Sequence, residues 1–132
     1  MKTFAKILCL SLVAVMLCAT LASCAPASDP DKAVSALKDA GYTAGKDTTI
    51  IPAALTVLGV KGIDAVISGT KSGEHVTVIY FTDSDSAKNA EEKVTKYVDD
   101  EEKDEKDDSD WVFKRSGKMI YWGTKNAVKD AR

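Results

Sequence analysis

The sequence predicts an α+β domain, an antiparallel sheet of about five strands with helices mainly on one face, in the order α-β-(α)-ββ-α-ββ-α. Two matching turns carry this expectation. Lys71-Ser72-Gly73-Glu74 and Arg115-Ser116-Gly117-Lys118 each set Ser-Gly between strand-like runs, and a glycine in a two-residue loop accepts the positive φ that hairpins require. Each hairpin then leads into residues with helical periodicity. The 109 residues beyond position 23 of the 132 are enough for one domain and too few for two.

The elements follow in chain order. Asp29 suits an N-cap and Pro30 the first helical position, where no N–H partner is lost. Ala33, Val34, Leu37 and Ala40 then share one face, and Gly41 stands where a left-handed residue closes a helix. Tyr42 to Thr49 reads as a strand and its entry. Ile50 to Leu58 is a continuous apolar run in which Pro52 near the start and Gly59 past the end favour a short helix. Burial in the core is the default for that run, with an exposed patch for a partner or lipid as the alternative.

In the first hairpin, Ile63 to Thr70 pairs with His75 to Thr82, setting Ile67 against Val78 and Ala65 against Tyr80. In the second, Trp111 to Lys114 pairs with Met119 to Trp122, setting Phe113 against Ile120 and Trp111 against Trp122. Asp83-Ser84-Asp85 supplies cap residues for a helix whose inner face is Ala87, Ala90, Val94, Tyr97 and Val98. Thr124 caps a last short helix holding Ala127, Val128 and Ala131. The two ββα units are alike in order, which suggests a duplication.

The N-terminus has a different character. Lys2 and Lys6 flank a short positive start, an apolar run extends from Ile7 to about Thr20, and Leu21-Ala22-Ser23-Cys24 follows. Positive residues, a short apolar core and small residues before a cut describe an export signal. The run is shorter than the roughly 20 residues of a spanning helix. Leu21, Ala22, Ser23 and Cys24 resemble the lipobox of bacterial lipoproteins. That resemblance implies a signal peptide over 1–23, a diacylglyceryl group on Cys24, and cleavage before it. It further implies anchoring at the extracytoplasmic face of a cell membrane, with residues 24–28 as lipidated Cys and tether and 29–132 as the α+β domain. Two acyl chains suffice for stable attachment, at about 0.8 kcal/mol per buried CH₂. Gly117-Lys118-Met119-Ile120-Tyr121-Trp122-Gly123-Thr124 with Ala127 also resembles small uncharacterised lipoproteins of Gram-positive bacteria, a likeness that implies no activity. In a Gram-negative host, Ala25 resembles the context that sorts lipoproteins to the outer membrane.

Processing at this position removes Cys9 and Cys18 and modifies Cys24, the third of three cysteines, so no disulfide is expected. It also removes Lys2 and Lys6 from 18 basic residues that face 20 acidic ones, leaving a net charge of −4. That balance disfavours nucleic acid as a partner.

Charge is distributed unevenly. Asp99 to Asp110 holds nine acids against Lys103 and Lys106, a net −7. Calcium is one reading; the missing glycine turn favours a solvated helix end and loop. Trp111 to Arg132 carries +5, interleaved with Trp111, Phe113, Tyr121 and Trp122. This segment suits either anionic headgroups or a two-faced hairpin with an aromatic inner side.

Catalytic signals are sparse. His75 is the sole histidine and adjoins Glu74 at a hairpin turn, where exposure is the plain expectation. No Gly-x-Ser-x-Gly elbow, phosphate loop, dinucleotide fingerprint or zinc pair occurs, so no cofactor or metal is expected. The leading expectation is a non-enzymatic binding or accessory lipoprotein, held to the membrane through Cys24 and serving an unidentified protein or small molecule. The alternatives are a surface enzyme using His75 with Glu74 or a distant carboxylate, and a structural protein assembling through its sheet edge.

Overall fold

A computed structural model of the chain describes residues 25–101 and 110–132. The expected signal segment over 1–23, with Leu21, Ala22 and Ser23, the expected lipidation site Cys24, and residues 102–109 of the acidic run lie outside the described residues. Among the described residues nine elements follow one another: α1 (Pro30–Asp39), β1 (Thr43–Lys46), α2 (Ile50–Val57), β2 (Ile63–Lys71), β3 (Glu74–Phe81), α3 (Ser84–Glu101), β4 (Trp111–Ser116), β5 (Met119–Thr124) and α4 (Lys125–Asp130). The fold is α+β, a five-stranded antiparallel sheet ordered β1-β2-β3-β5-β4.

Local chemistry starts and stops the helices where the sequence indicates. The Asp29 carboxylate accepts the Asp31 N–H at 2.9 Å, with Pro30 next in line. Asp83 accepts the Ser86 N–H at 2.7 Å at the head of α3. Ala87, Ala90, Val94 and Val98 bury the inner stripe of α3, and Tyr97 packs beside them. Thr124 stands before α4 but its side chain accepts no capping bond from it; its hydroxyl donates to Glu74 instead.

The helices do not gather mainly on one face. On one side α1 and α4 join Tyr42, Ile67, Val76, Val78, Tyr80, Met119 and Tyr121 in a common core. On the other, α2 and α3 cover Val66, Ile79, Phe81, Ile120 and Trp122. The reason lies in β3, buried without interruption from Val76 to Phe81. Alternate side chains point to opposite faces, so a strand apolar at both parities needs cover on both. The two ββα units accordingly send α3 and α4 to opposite faces, and their likeness is one of element order alone.

The first hairpin pairs Ile67 with Val78 and Ala65 with Tyr80 as expected, with an irregularity at Ile63/Ala65. The second is shifted by two residues from its expected register: Phe113 lies opposite Trp122, Trp111 opposite Thr124 and Arg115 opposite Ile120. The glycines explain the difference. Gly73 is the second residue of its loop, at φ +77°, whereas Gly117 is the first of its own, at φ +57°. Strand β4 therefore continues through Ser116. A shift of two keeps every side chain on its face, and it stacks Phe113 on Trp122 with centroids 6.3 Å apart.

Candidate functional site

Two places on the described fold combine unusual chemistry with accessibility. The first is the hairpin of β2 and β3. His75 points to the face shared with α2 and α3, is half-buried rather than exposed, and lies 5.5 Å from the Trp111 ring. Beside it a shallow concavity of about 720 Å³ is lined by Thr43, Ser68, Thr70, Ser72 and Thr77 among others. Glu74, the carboxylate proposed to work with His75, points to the other face. There it accepts the Thr124 hydroxyl, and the Asn126 amide at 3.3 Å. Strand alternation separates neighbours in sequence, so the fold does not bring this pair together.

The second place is the end of the sheet where the chain enters. Residues 25–28, expected to be a tether, are bonded to the domain. Ala27 donates its N–H to the Ala131 carbonyl at 2.8 Å and accepts the Tyr80 hydroxyl at 2.7 Å. Pro26 is buried, and Ala25 and Ala27 pack against the core. Burial, reinforced by the charge of Asp29, pushes the Tyr80 phenol far above its ordinary range, so it stays a neutral donor. Tyr42 makes a parallel link to α4, donating to Asp130 at 3.0 Å. Burial and that carboxylate push it up to about 12.

The chain leaving α2 reaches the same end of the sheet, with α2 itself on the opposite face from Ala25 and Ala27. Thr82 donates to the Gly62 carbonyl, and Phe81 to that of Lys118. The Gly59–Gly62 link therefore lies beside the end of β3, where Tyr80 reaches Ala27. Asp47, which the sequence reading did not single out, builds the head of α2. Its carboxylate takes the N–H groups of Thr49, Ile50 and Ile51 at 2.9–3.0 Å. Burial works to raise its pKa, but those three donors prevail and hold it below the ordinary carboxylate value. The signal was an Asp two to four residues ahead of an apolar run, masked because Thr48 and Thr49 are capping types themselves.

The default of core burial fails for much of α2. Leu55 is fully buried and Ile51 is partly so, but Ile50 is 76% exposed, Val57 87% and Leu58 40%. From Ile50 to Val57 the helix has no charged residue at all.

The remaining expected features are spread out. Of the acidic run, Asp99, Asp100, Glu101 and Asp110 fall among the described residues, and no group of three or more His, Cys, Asp or Glu there is arranged to hold a metal. The basic C-terminal segment is divided by its strands: Arg115 pairs with Glu91 of α3 at 2.7 Å, while Lys114 points to the opposite face. Among the described residues no helix is long and apolar enough to cross a membrane. No protein-family model, no curated protein and no solved structure matches the chain.

Proposed function

We propose that this protein is an exported lipoprotein, held at the extracytoplasmic face of a cell membrane by a lipid on Cys24, and that its α+β domain is a non-enzymatic binding or accessory module. The observation that carries the reading is Leu21-Ala22-Ser23-Cys24 standing directly ahead of a segment bonded to the fold from Ala27 onward. A lipid on Cys24 would thus leave the chain within three residues of the packed domain. The test is to express the full chain in a bacterium fed labelled palmitate and to float its membranes. Label and flotation are expected for the native chain, and loss of both for Cys24→Ala. Equal labelling and flotation of the variant would refute the anchor.

A surface enzyme built on His75 draws support from the concavity beside that residue. Because Glu74 faces away, such an enzyme must use a carboxylate from elsewhere. It predicts that His75→Ala abolishes an activity while leaving the melting temperature unchanged.

A further inference from the structure

We propose that the concavity at the hairpin end of β2 and β3 is a binding site for a neutral oligosaccharide. The proposal rests on the binding-module reading and names the class of ligand that the module takes.

The sheet changes character along its length. On the face that α2 and α3 cover, Val66 of β2 and Ile79 of β3 are buried apolar residues paired across the ladder. Next along that face, toward the hairpin, Ser68 lies opposite Thr77, and then Thr70 opposite His75. Strand β1 adds Thr43 beside Thr70. Directly paired residues of an antiparallel ladder share a face. These hydroxyls therefore form one floor, and the concavity of about 720 Å³ opens over them.

Thr77 carries the argument. It is only 7% exposed, and its hydroxyl makes no hydrogen bond among the described residues. A hydroxyl taken out of water without a partner destabilises a fold. This one lines the concavity, where a bound ligand can supply the partner. The indole N–H of Trp122, the residue paired with Thr77 on β5, has no acceptor among the described residues either.

The chemistry of the lining selects the ligand. Each hydroxyl both donates and accepts, which matches a molecule covered in hydroxyls. The rings of His75 and Trp111, 5.5 Å apart, stand at one side and offer flat surfaces to the apolar face of a sugar. Charge argues against an ionic ligand. Lys71 and Glu74 border the concavity, but both are engaged on the other face of the sheet. Lys71 reaches the Ala40 carbonyl at 2.8 Å and lies over the Tyr42 ring, while Glu74 accepts from Thr124 and Asn126. The volume falls within the range of about 300–1,000 Å³ usual for small-ligand sites. Its shallow, open form suits a segment of a glycan chain better than an enclosed metabolite.

The test titrates the full lipidated chain by calorimetry, in a detergent without a sugar headgroup. The probes are maltotetraose, cellotetraose and N-acetylchitotetraose, with inorganic phosphate as the charged comparison. Thr77→Val and Thr70→Val are measured beside the native chain, and Thr56→Val on α2 removes a hydroxyl away from the site. At least one tetrasaccharide should bind with a millimolar or lower Kd. Each of the first two variants should weaken it at least tenfold, about 1.4 kcal/mol, and Thr56→Val should not. Thr77→Val should also melt no lower than the native chain, because the hydroxyl it removes has no partner in the fold. A lower melting temperature would mean that this hydroxyl serves the fold, and would overturn the assignment. Thr70→Val, at an exposed position, reads the site independently of the fold. No binding of any tetrasaccharide, binding untouched by both variants, or a preference for phosphate would overturn the site and leave the anchor and an accessory role standing. Shorter sugars appearing in the cell would support the site and overturn the non-enzymatic reading instead.

Discussion

Asp47 shows how one carboxylate can organise an element. Three N–H groups that the first turn of α2 leaves without helical partners converge on it. Replacing it with alanine should cost about 1–2 kcal/mol, read as a lower midpoint in urea. Its folded pKa lies below the ordinary 3.8, so its stabilisation is complete above that value and is lost as pH falls through the folded one. The difference between native and Asp47→Ala stability should therefore shrink in acid. Gly123 is a second sensitive position. A Cβ there would collide with the His75 carbonyl oxygen and lie 2.8 Å from the Val76 Cα, at a backbone φ of +146°. Gly123→Ala should destabilise by about 2–4 kcal/mol, and its unfolding midpoint checks this. Alkaline titration should show Tyr42 ionising near pH 12. A folded pKa raised this way means that the Tyr42–Asp130 bond helps stability below the ordinary value of 10 and is lost as pH climbs through 12.

At the scale of elements, α1 is pinned by Leu37, fully buried where Gly69 offers no side chain to hold the helix off the sheet. Leu37→Ala should cost about 2–5 kcal/mol. Much of this level was legible in the sequence. Asp29-Pro30, Asp83 and the spacing of Ala87, Ala90, Val94 and Val98 are local signals, read within one turn of helix, and each stands where expected. The first hairpin was legible for the same reason. The second was displaced by two because Ser-Gly and Gly-Lys are both acceptable loops, and the choice falls to Phe113 meeting Trp122 and Arg115 meeting Glu91. The second of those contacts joins residues 24 apart in sequence, beyond the reach of a local pattern. The opposite facing of Glu74 and His75 follows from alternation alone, once both are placed in β3.

On the whole molecule, the layered arrangement of two helices, a sheet and two helices makes β3 and β5 the shared interior. The edges belong to β1, of four residues, and β4, of six. A short edge ending in Lys46 and another bearing Lys114 and Arg115 are poor templates for strand addition. Sedimentation of the native protein in mild detergent should accordingly give a single small species whose size does not change with concentration; a ladder of multiples would favour assembly through the edges. The division of helices between the faces was written in Val76-Thr77-Val78-Ile79-Tyr80-Phe81, whose apolar residues occupy both parities. What no local pattern revealed was the docking of residues 25–28, because four small residues carry no periodicity and their partners Tyr80 and Ala131 lie far down the chain.

The bond from Ala27 to Ala131 also orders events in time. Closing a contact across almost the full described length is slow, since the entropy of the loop is lost before the contact compensates for it. The residues at the head of the domain therefore find their place only after the residues at its tail have been made and folded. Until Ala131 has been made, Ala27 holds only one of its two bonds to the fold, the one from the Tyr80 hydroxyl. A chain ending at Val128 should lack the Ala131 bond permanently, and Ala25 to Ser28 should then be cut by protease faster than in the native chain while the sheet resists it.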